Sequence, residues 1–300
     1  MRSRKPGISL IELIVAIGII ALLIGVILVG LQKAREAALR AQNMNHHRQM
    51  ILAVQQIAAQ KEEKITGLAK SRMSGLKYAM GSQSLFFRML PYVHGPIRYE
   101  ENMTVEQSME ALYPNVKAFQ NPADPSLNYG RWSSDKRAKC SYAINMFAFD
   151  GSVNLISSNS DGNSLTIALS DKYYSYCSSA DVGPTTYHQW THVFDPRDFS
   201  KLDGAPYGVR RSTFADAGWK DVIPVSDPDA RQTRSSTPGK MFQVRPRPEE
   251  VDPSIPQSAF HAGLTVAMFD GSVRTIRPGI DESVFWALVT PRGGEVASLD

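Results

Sequence analysis

Leu13 to Leu31 is an unbroken run of nineteen residues, LIVAIGIIALLIGVILVGL, without a charged or strongly polar side chain. About 20 apolar residues are what a helix needs to cross the hydrocarbon core of a bilayer. The run therefore predicts a membrane helix near the start of the chain, with the remaining sequence folding outside the bilayer. A short basic leader, MRSRKPG, precedes it, and a single acid, Glu12, stands at its edge. A carboxylate at the margin of a membrane helix is costly and calls for a partner or a task. Secretory signals share the basic start, but their apolar core is shorter and ends in a small-residue cleavage site. Here the run passes directly into QKAREAALRAQN, so it is expected to remain as an anchor.

The chain of 300 residues carries a net charge of +4. All of that excess lies in residues 1 to 40, where Arg2, Arg4, Lys5, Lys33, Arg35 and Arg40 face only Glu12 and Glu36. The remainder is balanced and offers no field to gather phosphates by counterion release, which argues against nucleic-acid binding. With 43% hydrophobic and 21% charged residues the chain can bury a substantial core. Two cysteines, Cys140 and Cys177, are too few for a disulfide scaffold and lack the CxxC spacing of zinc or redox sites. They pair with each other or remain thiols.

The leader and the start of the run, KPG followed by ISLIE, resemble the class III signal of type IV pilins and of type II secretion pseudopilins. The resemblance implies a leader of residues 1–7, cleavage by prepilin peptidase between Gly7 and Ile8, and N-methylation of Ile8. It also implies a role for Glu12, the fifth residue of the mature chain, in neutralising the amino terminus of a neighbouring subunit during assembly. Charges survive in an apolar bundle only in pairs. Phe is common in the family where Ile8 stands.

Beyond the membrane segment, Ala34, Ala37, Ala38, Ala41, Met44, Ile51, Ala53, Val54, Ile57 and Ala58 continue an apolar stripe at helical spacing. One helix is predicted over residues 8–63, spanning the membrane at 13–31 and amphipathic in its second half. At 1.5 Å per residue it would be on the order of 80 Å long. Residues 64–300 change to short β-prone pieces between turn residues, as expected of a β-rich ectodomain. The pentapeptide Phe-Asp-Gly-Ser-Val occurs at Phe149 to Val153 and again at Phe269 to Val273. Asp-Gly between apolar runs predicts a type I′ hairpin turn in each copy. Residues 224–256 are rich in proline and arginine and read as a long exposed loop. Asp281 is placed to cap a short helix whose Val284, Phe285 and Leu288 would pack on the sheet.

Several of these pieces resemble a group of prepilin-like proteins, abundant in planctomycetes, named for a domain of unknown function with a C-terminal signature of His, nine residues and Asp-Gly. Phe119 to Pro125 is similar to the group's Phe-x-Cys-Pro-x-Asp-Pro, Ser141 to Asn145 to its Ser-Tyr-x-x-Asn, and Ser160 to Ser164 to its Asp-Gly-Thr-Ser-Asn. His261 with Asp270 and Gly271 is similar to the signature, and Phe285 to Leu288 with Gly293 to Glu295 to its usual close. Eight residues rather than nine separate His261 from Asp270, and Asn121 stands where the group often has cysteine. The latter change removes one disulfide partner and leaves Cys140 and Cys177 to each other or unpaired.

No catalytic residue and no metal site is expected. His188 and His192 lie four residues apart, but HQWTH lacks the glutamate of a zincin, and no GxSxG elbow occurs. Calcium is the one candidate ion, with Asp161 and Asp171 as the acids among Asn159 and Asn163, yet the spacing is not that of an EF-hand and reads as turns. The expected fold is α+β and pilin-like, a long N-terminal helix packed by its amphipathic half on an antiparallel sheet. The expected function is that of a pilin or pseudopilin. Its partners are prepilin peptidase and other pilin subunits, and its place is the bacterial inner membrane, single-pass, with the ectodomain in the periplasm or on a surface filament. The alternatives are a membrane-anchored module that binds an envelope ligand without polymerising, and an anchored periplasmic enzyme acting through His261 or Asp270.

Overall fold

A computed structural model describes residues 10–60, 85–95, 115–128, 139–145, 148–149, 162–176, 186–187, 213–215, 241–247, 250–251 and 255–291. The first helix, α1, runs from Leu10 to Gln60. The chain divides into two compact units, Met1–Gln42 and Asn43–Asp300, so α1 contributes to both. In the first unit residues 10–42 are helical throughout, and the large apolar side chains from Leu10 to Leu31 are exposed. This segment is long and apolar enough to cross a membrane, and none of its most apolar stretch is buried inside the protein.

The second unit is organised by a five-stranded sheet in the order β5-β1-β2-β8-β9. Its strands are β1 (Tyr142–Asn145), β2 (Ile167–Asp171), β5 (Thr213–Phe214), β8 (Leu264–Met268) and β9 (Val273–Ile276). Pairing is antiparallel from β1 through β9, and β5 joins β1 in parallel. Two further pairs are small: β3 (Ser175–Tyr176) with β4 (Thr186–Tyr187), antiparallel, and β6 (Gln243–Val244) with β7 (Gln257–Ser258), parallel. The stretch read as a Pro-rich loop thus supplies a strand at Gln243–Val244, because Gln243 N donates to the Pro256 carbonyl and Arg245 N to that of Ser258.

Successive residues of a strand point to opposite faces, and here both faces are covered. On one side Met50, Ile51, Val54 and Ile57 of α1 pack with Phe86 and Met89 of α2 (Leu85–Val93), and with Tyr142, Ile144, Leu169 and Ala267 of the sheet. On the other, Ala143, Ile167, Val266, Met268 and Ile276 meet Phe285, Leu288 and Val289 of α3 (Glu282–Val289). Every residue of β1, β2 and β8 is consequently buried. Asp281 caps α3, its carboxylate accepting from Ser283 N at 2.8 Å. Hydrogen bonds from Ser283 hold that carboxyl below its ordinary range.

Entry into β8 depends on Gly263. It has φ +123°, and a Cβ there would lie 2.0 Å from the Ile276 carbonyl oxygen. Backbone at positive φ is open to glycine at no steric cost. Gly263→Ala is therefore expected to destabilise by about 1–3 kcal/mol from backbone strain alone, read as a lowered thermal midpoint. An unchanged midpoint would contradict this account of the β8–β9 pairing.

The last hairpin differs from the expected type I′ turn. Gly271 N donates to Met268 O and Met268 N to Ser272 O, leaving Phe269, Asp270 and Gly271 as a three-residue loop. Within it only Gly271 has a positive φ, +91°. This is a hairpin closed by a glycine bulge, which needs one left-handed residue rather than two. The reason is tertiary: Gln55 of α1 donates to the Phe269 carbonyl at 2.9 Å, and the Phe269 ring packs on Phe149 at 5.2 Å. The loop is drawn onto the helix. Asp150 and Gly151 of the first copy lie outside the described residues.

Candidate functional site

Three sets of residues carry the functional questions: the start of α1, the signature residues around β8, and a polar cluster buried under α1.

Glu12 sits in the first turn of α1 as it is described, ahead of the exposed apolar segment. It is the one acid in a stretch otherwise suited to hydrocarbon. Gly7 and Ile8 lie outside the described residues. What this end of the chain offers is a recognition sequence followed by an apolar rod, a combination suited to processing at a membrane and to lateral packing of helices.

The signature residues do not form a joint site. His261 is exposed just before β8, and Arg245 donates from Nη1 to its Nε2. The histidine accepts there, which ties the loop before β8 to the segment around Arg245. Asp270 is exposed beyond the far end of β8, where Oδ1 accepts from Ser272 N at 2.8 Å. Five strand residues at about 3.4 Å each separate the two side chains by roughly 15 Å or more, too far to share a metal or a substrate atom. Gly271 lies against α1, where a Cβ would stand 3.3 Å from Gln55 Nε2.

The remaining motifs hold one another in place. The Asp124 carboxylate accepts from Ser126 N and Oγ, from Ser141 Oγ at 2.6 Å and from Tyr174 N at 2.9 Å. Burial pushes this carboxyl up, and the bonds from Ser126, Ser141 and Tyr174 oppose the shift. Ser141 N donates in turn to Phe119 O at 2.8 Å. Asn145 Nδ2 donates to both Ile167 O and Val289 O at 2.7 Å, tying β1 to β2 and to the end of α3. Asp270 N donates to Asn163 O at 3.0 Å, so the turn that holds Asn163 meets the hairpin loop.

Beneath α1 lies a cluster that the sequence pattern did not reveal. Asn43, His46 and His47, spaced i, i+3 and i+4, are buried on the face that continues through Met50 and Val54. Asn43 Nδ2 donates to Asp171 Oδ1 and Oδ2 at 3.0 and 3.1 Å and reaches Thr265 Oγ1 at 3.2 Å. His47 Nε2 donates to Asp171 Oδ1 at 2.8 Å, and Tyr142 Oη donates to Asn43 Oδ1 at 2.8 Å. His46 Nδ1 is 3.0 Å from the Gln120 carbonyl, an acceptor only, which places the proton on that nitrogen. Burial, and then the Asp171 charge, push the Tyr142 phenol far up, so it remains a donor. The signal available in sequence was NMNHH, polar residues lying on the same helical stripe as the core.

Asp171, one of the two acids weighed for calcium, is committed to this cluster. Asp161 lies outside the described residues, as do His188 and His192. Cys140 is buried with Sγ 3.3 Å from the Tyr142 carbonyl, and Cys177 lies outside the described residues.

Residues 2–28 match the model of the prokaryotic N-terminal methylation motif. The chain is prepilin-like. No curated protein and no solved structure matches it significantly. A prepilin-like protein is processed by prepilin peptidase, and together the motif and the long apolar N-terminal helix support an anchor in the inner membrane.

Proposed function

We propose that the chain is a structural, non-catalytic subunit, a pilin or pseudopilin, of a type IV pilus or a type II secretion-like filament. Prepilin peptidase cleaves it between Gly7 and Ile8 and methylates Ile8. The ectodomain stands in the periplasm or on a surface filament, and its partners are other pilin subunits. The observation that carries this reading is the exposed apolar segment of α1 with Glu12 in its first turn, behind a matched methylation motif. The separation of His261 from Asp270 supports a structural role for the signature. The bonds of Asp124 with Ser141 and of Asp270 with Asn163, which join four of the resembling pieces in pairs, support membership of the prepilin-like group with the His…Asp-Gly signature.

The mature N-terminus decides the processing step. Mass spectrometry of protein from the native membrane and from the sheared surface fraction is expected to show a chain beginning at methylated Ile8. An intact Met1, or a cut beyond Leu31, would sink the pilin reading and favour an anchored ligand-binding module.

A further inference from the structure

On the sheet face opposite α1, the hairpin β8–β9 and α3 enclose a cleft of about 380 Å³, within the range of small-molecule sites. Register creates its character. Arg274 pairs with Val266 and Ile276 with Leu264, which puts the arginine in a row of otherwise apolar side chains facing α3. Val266, Met268 and Ile276 line the cleft from the sheet, and Val284 and Leu288 from the helix. Arg274, half-buried, and Arg277, exposed, also line it.

Among the described residues neither guanidinium has a carboxylate partner. The one acid in the lining, Asp281, already accepts from Ser283 N and Oγ as the cap of α3. A half-buried cation beside apolar walls is favourable when an anion meets it. Two arginines and one acid leave the lining with a single excess positive charge, which suits a monoanion better than a phosphate dianion. The planar fork of arginine fits a carboxylate by paired hydrogen bonds.

We infer that this cleft binds a small apolar chain ending in a carboxylate, the tail between β8–β9 and α3 and the carboxylate held by Arg274 and Arg277. This is independent of whether the protein polymerises. A free acyl chain and the C-terminus of an apolar peptide present the same chemistry.

The test uses the full chain in lipid nanodiscs, labelled with ¹³C at the methionine methyls, with the Met268 signal identified by its loss in Met268→Leu and empty nanodiscs as the partition reference. Octanoate, octanol and a short apolar peptide, as free acid and as amide, are titrated separately. The Met268 methyl is expected to shift saturably with octanoate or with the free-acid peptide, and whichever binds tighter identifies the source. The uncharged counterpart is expected to bind about tenfold more weakly, as is either acid to the R274Q, R277Q double variant. Both substitutions keep the side-chain stems, and an unchanged thermal midpoint verifies the fold. Equal binding of acid and uncharged counterpart, or no saturable shift, overturns the proposal. So does binding that emerges only when the chain is ended after Pro291, since the chain's own acidic end would then be the occupant.

Discussion

Asp171→Ala is expected to lower the stability of the ectodomain by about 3–5 kcal/mol, since each buried donor left without its acceptor costs about 1–3 kcal/mol and Asp171 serves both Asn43 and His47. Among the described residues the carboxylate is the only acceptor for His47 Nε2, and both its oxygens accept from Asn43 Nδ2. Its removal strands these donors in the interior, since His47 and Asn43 are fully buried. In a unit of this size the loss corresponds to a fall in thermal midpoint on the order of 10 °C, followed by near-UV circular dichroism of the detergent-solubilised chain. The adjacent Ser170→Ala is the internal control. Ser170 Oγ is buried without a hydrogen-bond partner among the described residues, so its removal leaves no partner stranded. Equal effects of the two substitutions would show that the cluster under α1 is not what seats the helix on the sheet.

The second large effect concerns assembly. On the proposed reading, Glu12→Gln leaves insertion and cleavage intact but removes the carboxylate that pairs with a neighbouring amino terminus inside an apolar bundle. An unpaired amine in that setting is expensive. The amount of protein in the sheared surface fraction is expected to fall about tenfold or more, equivalent to about 1.4 kcal/mol or more per subunit contact. The membrane-bound amount and the mature N-terminus stay unchanged. A surface fraction equal to that of the native chain would refute the assembly role of Glu12 and favour a protein that stays in the bilayer as a monomer.

The two halves of the molecule differ in how far they can be read without coordinates. The membrane helix is legible because its driving force is local and additive: nineteen apolar residues in sequence need no partner to define their environment. The methylation motif is legible because a peptidase reads it as linear sequence. Asp281 as a helix cap is local for the same reason, the bond spanning two residues. The hairpin loop was half legible. Asp270-Gly271 marked the turn correctly, yet Gln55, more than two hundred residues away in sequence, and Phe149 draw the loop onto α1, and the turn takes three residues instead of two.

The sequence by itself determined the anchor, the processing signal and the α+β class, since each follows from periodicity or from residues a few positions apart. Only the tertiary structure decided that His261 and Asp270 stand at opposite ends of a strand, that Asp171 is a buried partner of Asn43 and His47, and that Arg274 faces an apolar cleft. These depend on strand register and on which side of a sheet a helix lies. A register shift of one residue would turn each of these strand side chains to the other face, and that choice is made by the whole core at once.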